Sequence, residues 1–167
     1  ADLVGPTVCR TLTPDEVAVV RGKLGPDPLN ADADPGQFYR AAAKSSRPIG
    51  VILMDQAAIS GVGNIFRAES LYRQKIDPLR PGKTLSDDEL RRLWDDNKHL
   101  LTIGVRVGRI ITTEQQDRPG IPETEAWPDH ANYVYMRHGQ KCPRCSAIIR
   151  MEEIAGRKLY WCPGCQK

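Results

Sequence analysis

The last 27 residues constrain this chain most. Lys141-Cys142-Pro143-Arg144-Cys145 is followed, after sixteen residues, by Cys162-Pro163-Gly164-Cys165. Two Cys-x-x-Cys pairs at this separation have the spacing of a zinc site. Each pair turns tightly enough to aim two thiolates at one ion. Cys142, Cys145, Cys162 and Cys165 can therefore close a tetrahedral four-sulfur site around one Zn2+. Four protein ligands leave no position for water, which makes such an ion structural. The competing readings are two disulfides or a redox Cys-x-x-Cys. A redox motif would need only one pair, in a βαβ setting that is absent here.

The residues between the pairs indicate what the metal would hold. Ala147–Met151 and Lys158–Trp161 are short and apolar, with Ala155-Gly156-Arg157 as a turn between them. This predicts a β-hairpin clamped at its open end by the ion, with Arg157 at its tip beside Lys158. A module of about 35 residues buries too little to fold unaided, so the metal substitutes for a core. Tyr133-Val134-Tyr135 is expected to be a strand entering this module.

At 167 residues the chain has room for one ordinary domain, or one domain plus a small module. No apolar run approaches the length of a membrane span, so no membrane association is expected. Five cysteines, four in metal spacing, suit a reducing compartment. The fifth, Cys9, reads as a small apolar core or edge residue. Net charge is +3 but uneven. Residues 40–80 carry seven Lys/Arg against three Asp/Glu, and residues 133–167 carry seven against two. Two basic segments far apart in sequence can form one face for a polyanion, although ordinary solvated surface explains the same charge.

Residues 1–12 read as the remnant of something upstream: one possible strand with no partner nearby, starting at alanine. Thr13-Pro14-Asp15-Glu16 is a capping box that starts a helix through Val17, Val20 and Leu24. Gly25-Pro26-Asp27-Pro28 stops it. A second helix is expected near residues 36–44, and a third from Ile49 to about Ser60. Gly61-Val62-Gly63-Asn64 breaks the third, and a fourth runs from Ile65 to about Lys75, with Asn64 where an N-cap belongs. Ser86-Asp87-Asp88-Glu89 is a second capping box. It opens the longest helix, with Leu90, Leu93, Trp94, Leu101 and Val105 inward, reaching as far as Ile111. Residues 112–132, with three prolines, read as a loop or linker. The expected fold class is mainly α: residues 13–111 form a helical domain, and residues 133–167 a zinc-clamped hairpin.

The turn at Gly61–Asn64 presents free backbone N–H groups at a helix start, and its small residues, Gly63 among them, let an anion come close. Asn64 can give a side-chain N–H to a phosphate or can simply cap its own helix. Arg157 suits bidentate phosphate binding, or is a solvated turn residue. Gln56, Arg67 and Glu69 flank the turn, and Glu69 can order it from within.

These residues carry a resemblance. Leu53-Met54-Asp55-Gln56, then Gly61-Val62-Gly63-Asn64-Ile65 and Glu69-Ser70-Leu71, resembles the helix–two-turn–helix element of the formamidopyrimidine-DNA glycosylase/endonuclease VIII family. Gly156-Arg157-Lys158-Leu159-Tyr160-Trp161-Cys162-Pro163-Gly164-Cys165-Gln166 resembles that family's C-terminal zinc finger. Leu24-Gly25-Pro26-Asp27-Pro28-Leu29 resembles the segment joining its N-terminal β-sandwich to the helical domain. The tail is closer to endonuclease VIII-like members. The resemblance implies base-excision repair, in which the helical domain and finger grip double-stranded DNA backbone around an extruded, oxidised base. It implies phosphate contacts by Asn64 and Arg157 and a further contact by Tyr135, with Gly63 and Arg67 beside them. It also implies a monomer in the cytoplasm or nucleoid.

The family's nucleophile is an N-terminal proline followed by glutamate. This chain reads Ala1-Asp2-Leu3, and Pro6 is an internal amide nitrogen that cannot attack. No other nucleophile–base constellation is evident. The expectation is a DNA-binding portion of a glycosylase/AP lyase that does no chemistry alone, with no catalytic residues of its own. The alternative is a non-enzymatic zinc-ribbon module for protein interaction, which would need an exposed apolar patch.

Overall fold

The computed structural model describes residues 9–167. The possible strand at residues 3–10 lies almost wholly outside them. Five α-helices come first: α1 (Pro14–Arg21), α2 (Gly36–Ala43), α3 (Ile49–Ile52), α4 (Asn64–Arg73) and α5 (Asp87–Val107). One antiparallel hairpin follows, β1 (Arg150–Ile154) with β2 (Arg157–Trp161), beside the four clustered cysteines. No helix among the described residues is long and apolar enough to cross a membrane.

Both capping boxes form. Thr13 and Ser86 accept from the N–H groups of Glu16 and Glu89, whose carboxylates accept in return from the Thr13 and Ser86 N–H groups. The longest helix is shorter than expected: Gly108, at φ 71°, takes the left-handed conformation that ends it. Leu90, Leu93, Trp94 and Leu101 point inward as expected, but Val105 is exposed. The third helix is cut to one turn. Past it the chain makes two turns stapled by Gln56, which donates to the Val62 carbonyl at 2.9 Å and accepts from the Gly61 N–H at 3.0 Å. The close approach at Gly25 fits here: a Cβ would sit 2.6 Å from the Ala58 backbone, while its N–H donates to the Gln56 carbonyl. Cys9 is exposed rather than packed.

Helix α4 lies between two cores. Phe66 and Leu71 join Phe38, Ile49, Ile52, Leu90 and Leu93 in the helical domain. Ala68 and Tyr72, on the same helix, join Tyr133, Val134, Ile149 and Tyr160 of the finger. Residues 112–132 are ordered by Thr112 and Arg118, both buried, and by Ala126 and Ala131, which pack on Ile111.

The Tyr133–Tyr135 segment does not form a strand. Its three successive N–H groups converge on one side chain of α4. Glu69 accepts from Tyr133 and Thr112 on Oε2, and from Val134 and Tyr135 on Oε1, at 2.6–2.8 Å. The carboxyl group is fully buried. Burial pushes its pKa up, and the four donors pull it back. Glu69→Gln preserves shape but turns one acceptor into a donor facing two N–H or O–H groups. It should lower stability by about 3 kcal/mol, read from urea unfolding midpoints at unchanged m.

Candidate nucleic-acid interface and metal centre

The metal centre follows from the hairpin. Ala155 at φ 52° and Gly156 at φ 71° make a two-residue turn of left-handed conformations, which matches the twist of paired strands. Ile154 pairs with Arg157 and Arg150 with Trp161, one residue ahead of Cys162. Lys141 bridges to Ile148, bringing the first Cys pair alongside the second. The four Sγ atoms all lie within 4.8 Å of one another, with Cys142–Cys165 at 3.8 Å and Cys145–Cys162 at 3.3 Å. A tetrahedral zinc with bonds near 2.3 Å needs sulfurs about 3.8 Å apart, so the cluster fits the ion.

The surrounding groups favour thiolate at one ligand. Burial raises the Cys142 pKa, but the Tyr72 hydroxyl and the N–H groups of Arg144 and Cys145 outweigh it and bring it to about 7. Arg144, between the first two ligands, ties the knuckle to the chain before it. Its guanidinium carbon sits 4.6 Å from the centre of the Tyr133 ring, and its Nη2 reaches Asp117 at 2.7 Å. The zinc is held structurally, with no coordination position left for substrate.

The candidate nucleic-acid face forms where the start of α4 meets the first residues of β2. Gly61, at φ 82°, supplies the left-handed turn before α4. No side chain caps the helix, and a Cβ built on Gly63 meets nothing within 4 Å. The start of α4 is thus open to an approaching anion. Asn64 is the first helical residue rather than the cap. Its Nδ2 donates to the Lys158 carbonyl at 3.0 Å, which sets the glycine turn against β2 one residue from Arg157. Arg157 is exposed, and among the described residues no carboxylate lies within ion-pair distance of it. Tyr135 is half-buried, its ring 5.3 Å from that of Tyr160 in edge contact. Gly63, Asn64, Tyr135 and Arg157 therefore gather around one strand.

Arg67 is placed differently from the expected phosphate contact. It is fully buried, and its Nη2 donates to Asn64 Oδ1 and, at 3.1 Å, to the Lys158 carbonyl. Burial lowers its pKa to about 10, and the nearby Arg157 charge adds to the effect. Its task is internal: with Oδ1 held by the guanidinium and one Nδ2 hydrogen on the Lys158 carbonyl, the Asn64 amide is fixed in orientation, and its second Nδ2 hydrogen has no partner among the described residues. Sequence reasoning also missed Thr112 and Tyr72. No local pattern signals them, because their partners Glu69 and Cys142 lie 43 and 70 positions away.

Metal analysis of the purified chain should give about one zinc per molecule. Cys162→Ser should abolish tight binding and unfold the hairpin while α2, α4 and α5 keep most of the helical circular dichroism. A metal-free chain with intact hairpin resonances would contradict the four-thiolate site.

Comparison with known proteins follows the same division. The sequence pattern of the formamidopyrimidine-DNA glycosylase H2TH (helix–two-turn–helix) domain matches residues 24–116, and that of the zinc finger found in FPG and IleRS matches residues 139–167. The chain is 45 % identical over 166 residues to endonuclease 8 1 of Mycobacterium tuberculosis, covering 99 % of this chain and 61 % of that protein. It is 38 % identical over 150 residues to the formamidopyrimidine-DNA glycosylase of Thermus thermophilus, covering 86 % and 54 %. Among solved structures it resembles the Lactococcus lactis Fpg in complex with DNA containing an abasic site, at a TM-score of 0.74 and 28 % identity over 93 % of this chain and 57 % of that one. It also resembles Thermus thermophilus MutM, at a TM-score of 0.72 and 34 % identity over 90 % and 56 %. The chain thus spans between about half and three fifths of the proteins it matches, and with the H2TH pattern covering more than half of its residues, it belongs to the formamidopyrimidine-DNA glycosylase H2TH-domain family.

Proposed function

We propose that these residues are the DNA-gripping portion of a base-excision-repair glycosylase/AP lyase for oxidised bases. The observation that carries this is the tie between Asn64 and Lys158. It sets an open helix start and an unpaired arginine side by side, as two phosphates along one backbone would require. Asn64 and Arg157 take the phosphates, Gly63 leaves room, and Tyr135 borders them. Such contacts position the duplex without reading its sequence. They favour damaged sites because a bent backbone with an extruded base costs least where pairing is already weak. The same reading makes the protein an intracellular monomer that uses zinc for structure and has no membrane partner.

The chemistry is not assigned to these residues. A lysine becomes a neutral-pH nucleophile when desolvated or placed beside another cation. Every lysine among the described residues is exposed. The chain alone should bind duplex DNA without releasing bases efficiently. Borohydride trapping and strand cleavage on oxidised-pyrimidine and abasic duplexes, against an amine-blocked control, check this. Efficient base release with a covalent adduct would overturn it.

Binding to a duplex carrying an abasic-site analogue, measured by fluorescence anisotropy, should weaken steeply between 50 and 200 mM salt. Arg157→Ala should cost about 1–3 kcal/mol, the worth of a charged hydrogen bond to phosphate, and reduce the salt slope. If Asn64→Ala and Arg157→Ala both bind like wild type at matched salt, this face is not the DNA site.

A further inference from the structure

A side chain of the helical domain reaches the zinc ligands. Tyr72 lies in the last turn of α4, 1 % exposed, and its hydroxyl oxygen is 3.2 Å from Cys142 Sγ. Oxygen and sulfur at that distance share a proton, and the metal decides which of them owns it. A zinc-bound thiolate has no proton and can only accept, so with the ion in place the phenol must donate.

The ring is held where the bond requires it. Tyr72 stacks on Tyr133, with ring centres 4.9 Å apart, and the Arg144 guanidinium carbon lies 5.5 Å from the Tyr72 centre. The alternative partner for a buried hydroxyl would be water or a carbonyl, and the sulfur is the partner found. The Tyr133 hydroxyl is otherwise engaged: it donates to Asp117 at 2.5 Å and accepts from the Glu114 N–H at 2.8 Å. The two stacked rings therefore present hydroxyls with different tasks.

We propose that Tyr72 is a hydrogen-bond donor to the zinc-bound Cys142 thiolate. A residue of the DNA-binding helix then sets how firmly the finger keeps its metal. The bond draws charge from the sulfur and fixes the orientation of its lone pairs. Groups that orient metal ligands in this way are worth 10–100-fold in metal affinity. The proposal rests on the zinc site itself, and failure of the two is distinguishable. Loss of metal stoichiometry in wild-type protein would remove the site, whereas the outcomes below concern only the hydroxyl.

Tyr72→Phe keeps the ring, the stack and the packing. The 167-residue chain and this variant would be compared in zinc competition with a chromophoric chelator, and after cobalt substitution by absorption spectroscopy. The variant should bind zinc about tenfold more weakly. Its sulfur-to-cobalt charge-transfer band should move to lower energy, because a sulfur without its donor holds its electrons less tightly. Tyr133→Phe, which loses a hydroxyl bonded to Asp117, should leave the band in place. Global 3-fluorotyrosine labelling strengthens the donor without removing it and should move the band to higher energy, which keeps the proposal testable if the phenylalanine variant does not fold. A folded Tyr72→Phe protein with wild-type affinity and band position would overturn the assignment. So would an unmoved band in the fluorotyrosine protein, or an equal shift in Tyr133→Phe.

Discussion

One buried carboxylate joins the two halves of this chain. Among the described residues Glu69 has no cation beside it, and it is fully buried, yet it accepts three consecutive backbone N–H groups and a threonine hydroxyl. Buried N–H groups left without acceptors and a buried carboxylate left without donors are each costly, so each makes the other tolerable. The arrangement does what a third strand beside the hairpin would do: it satisfies the 133–135 backbone and fixes where the finger begins. Because it acts through the main chain, residues 133–135 are held in position irrespective of their side chains. Tyr135 is left with its ring against Tyr160 and its backbone anchored to α4.

What was legible in the sequence was local. The Cys-x-x-Cys pairs and both capping boxes each depend on residues within a few positions, and each forms as read; the turn read at Ala155-Gly156-Arg157 is one residue shorter, because Arg157 already pairs with Ile154 in β2. The hairpin extends three residues further toward its turn on β1 than its apolar run suggests, because pairing continues through Glu152 and Glu153 opposite Leu159 and Lys158. The errors came where a long-range partner won. Ile49–Ser60 has helical periodicity, but Gln56 ties the Gly61 turn and Gly25 presses on Ala58, so one turn survives. Tyr133-Val134-Tyr135 has strand composition, and a carboxylate 64 positions away takes its N–H groups instead. Val105 lies at core spacing on α5, but it faces solvent.

The candidate site divided in the same way. The four ligands could be named from spacing alone. Asn64 and Arg157 could be raised as phosphate contacts from the glycine turn and the hairpin tip, but only the resemblance favoured that over a plain cap and a solvated arginine, since both are commonplace. Arg67 was misplaced because a cation beside a basic face is expected to join it. Instead the guanidinium donates to Asn64, to Lys158 and, at 3.4 Å, to Gly50, and so fixes the half-buried Asn64 amide beside the exposed Arg157.

Helix α4 carries Asn64 and Arg67 at its start, Glu69 in its middle and Tyr72 near its end, and every residue from Phe66 to Tyr72 is buried. An ordinary surface helix keeps one face for solvent and can fray or slide along it. From Arg67 to Tyr72 this one is encased on all sides, so the amide hydrogens of that stretch can exchange with water only when the whole assembly opens. Its exchange rate is a direct gauge of global stability, and drift at any of these positions in related sequences is tolerable only where the partner segment changes with it.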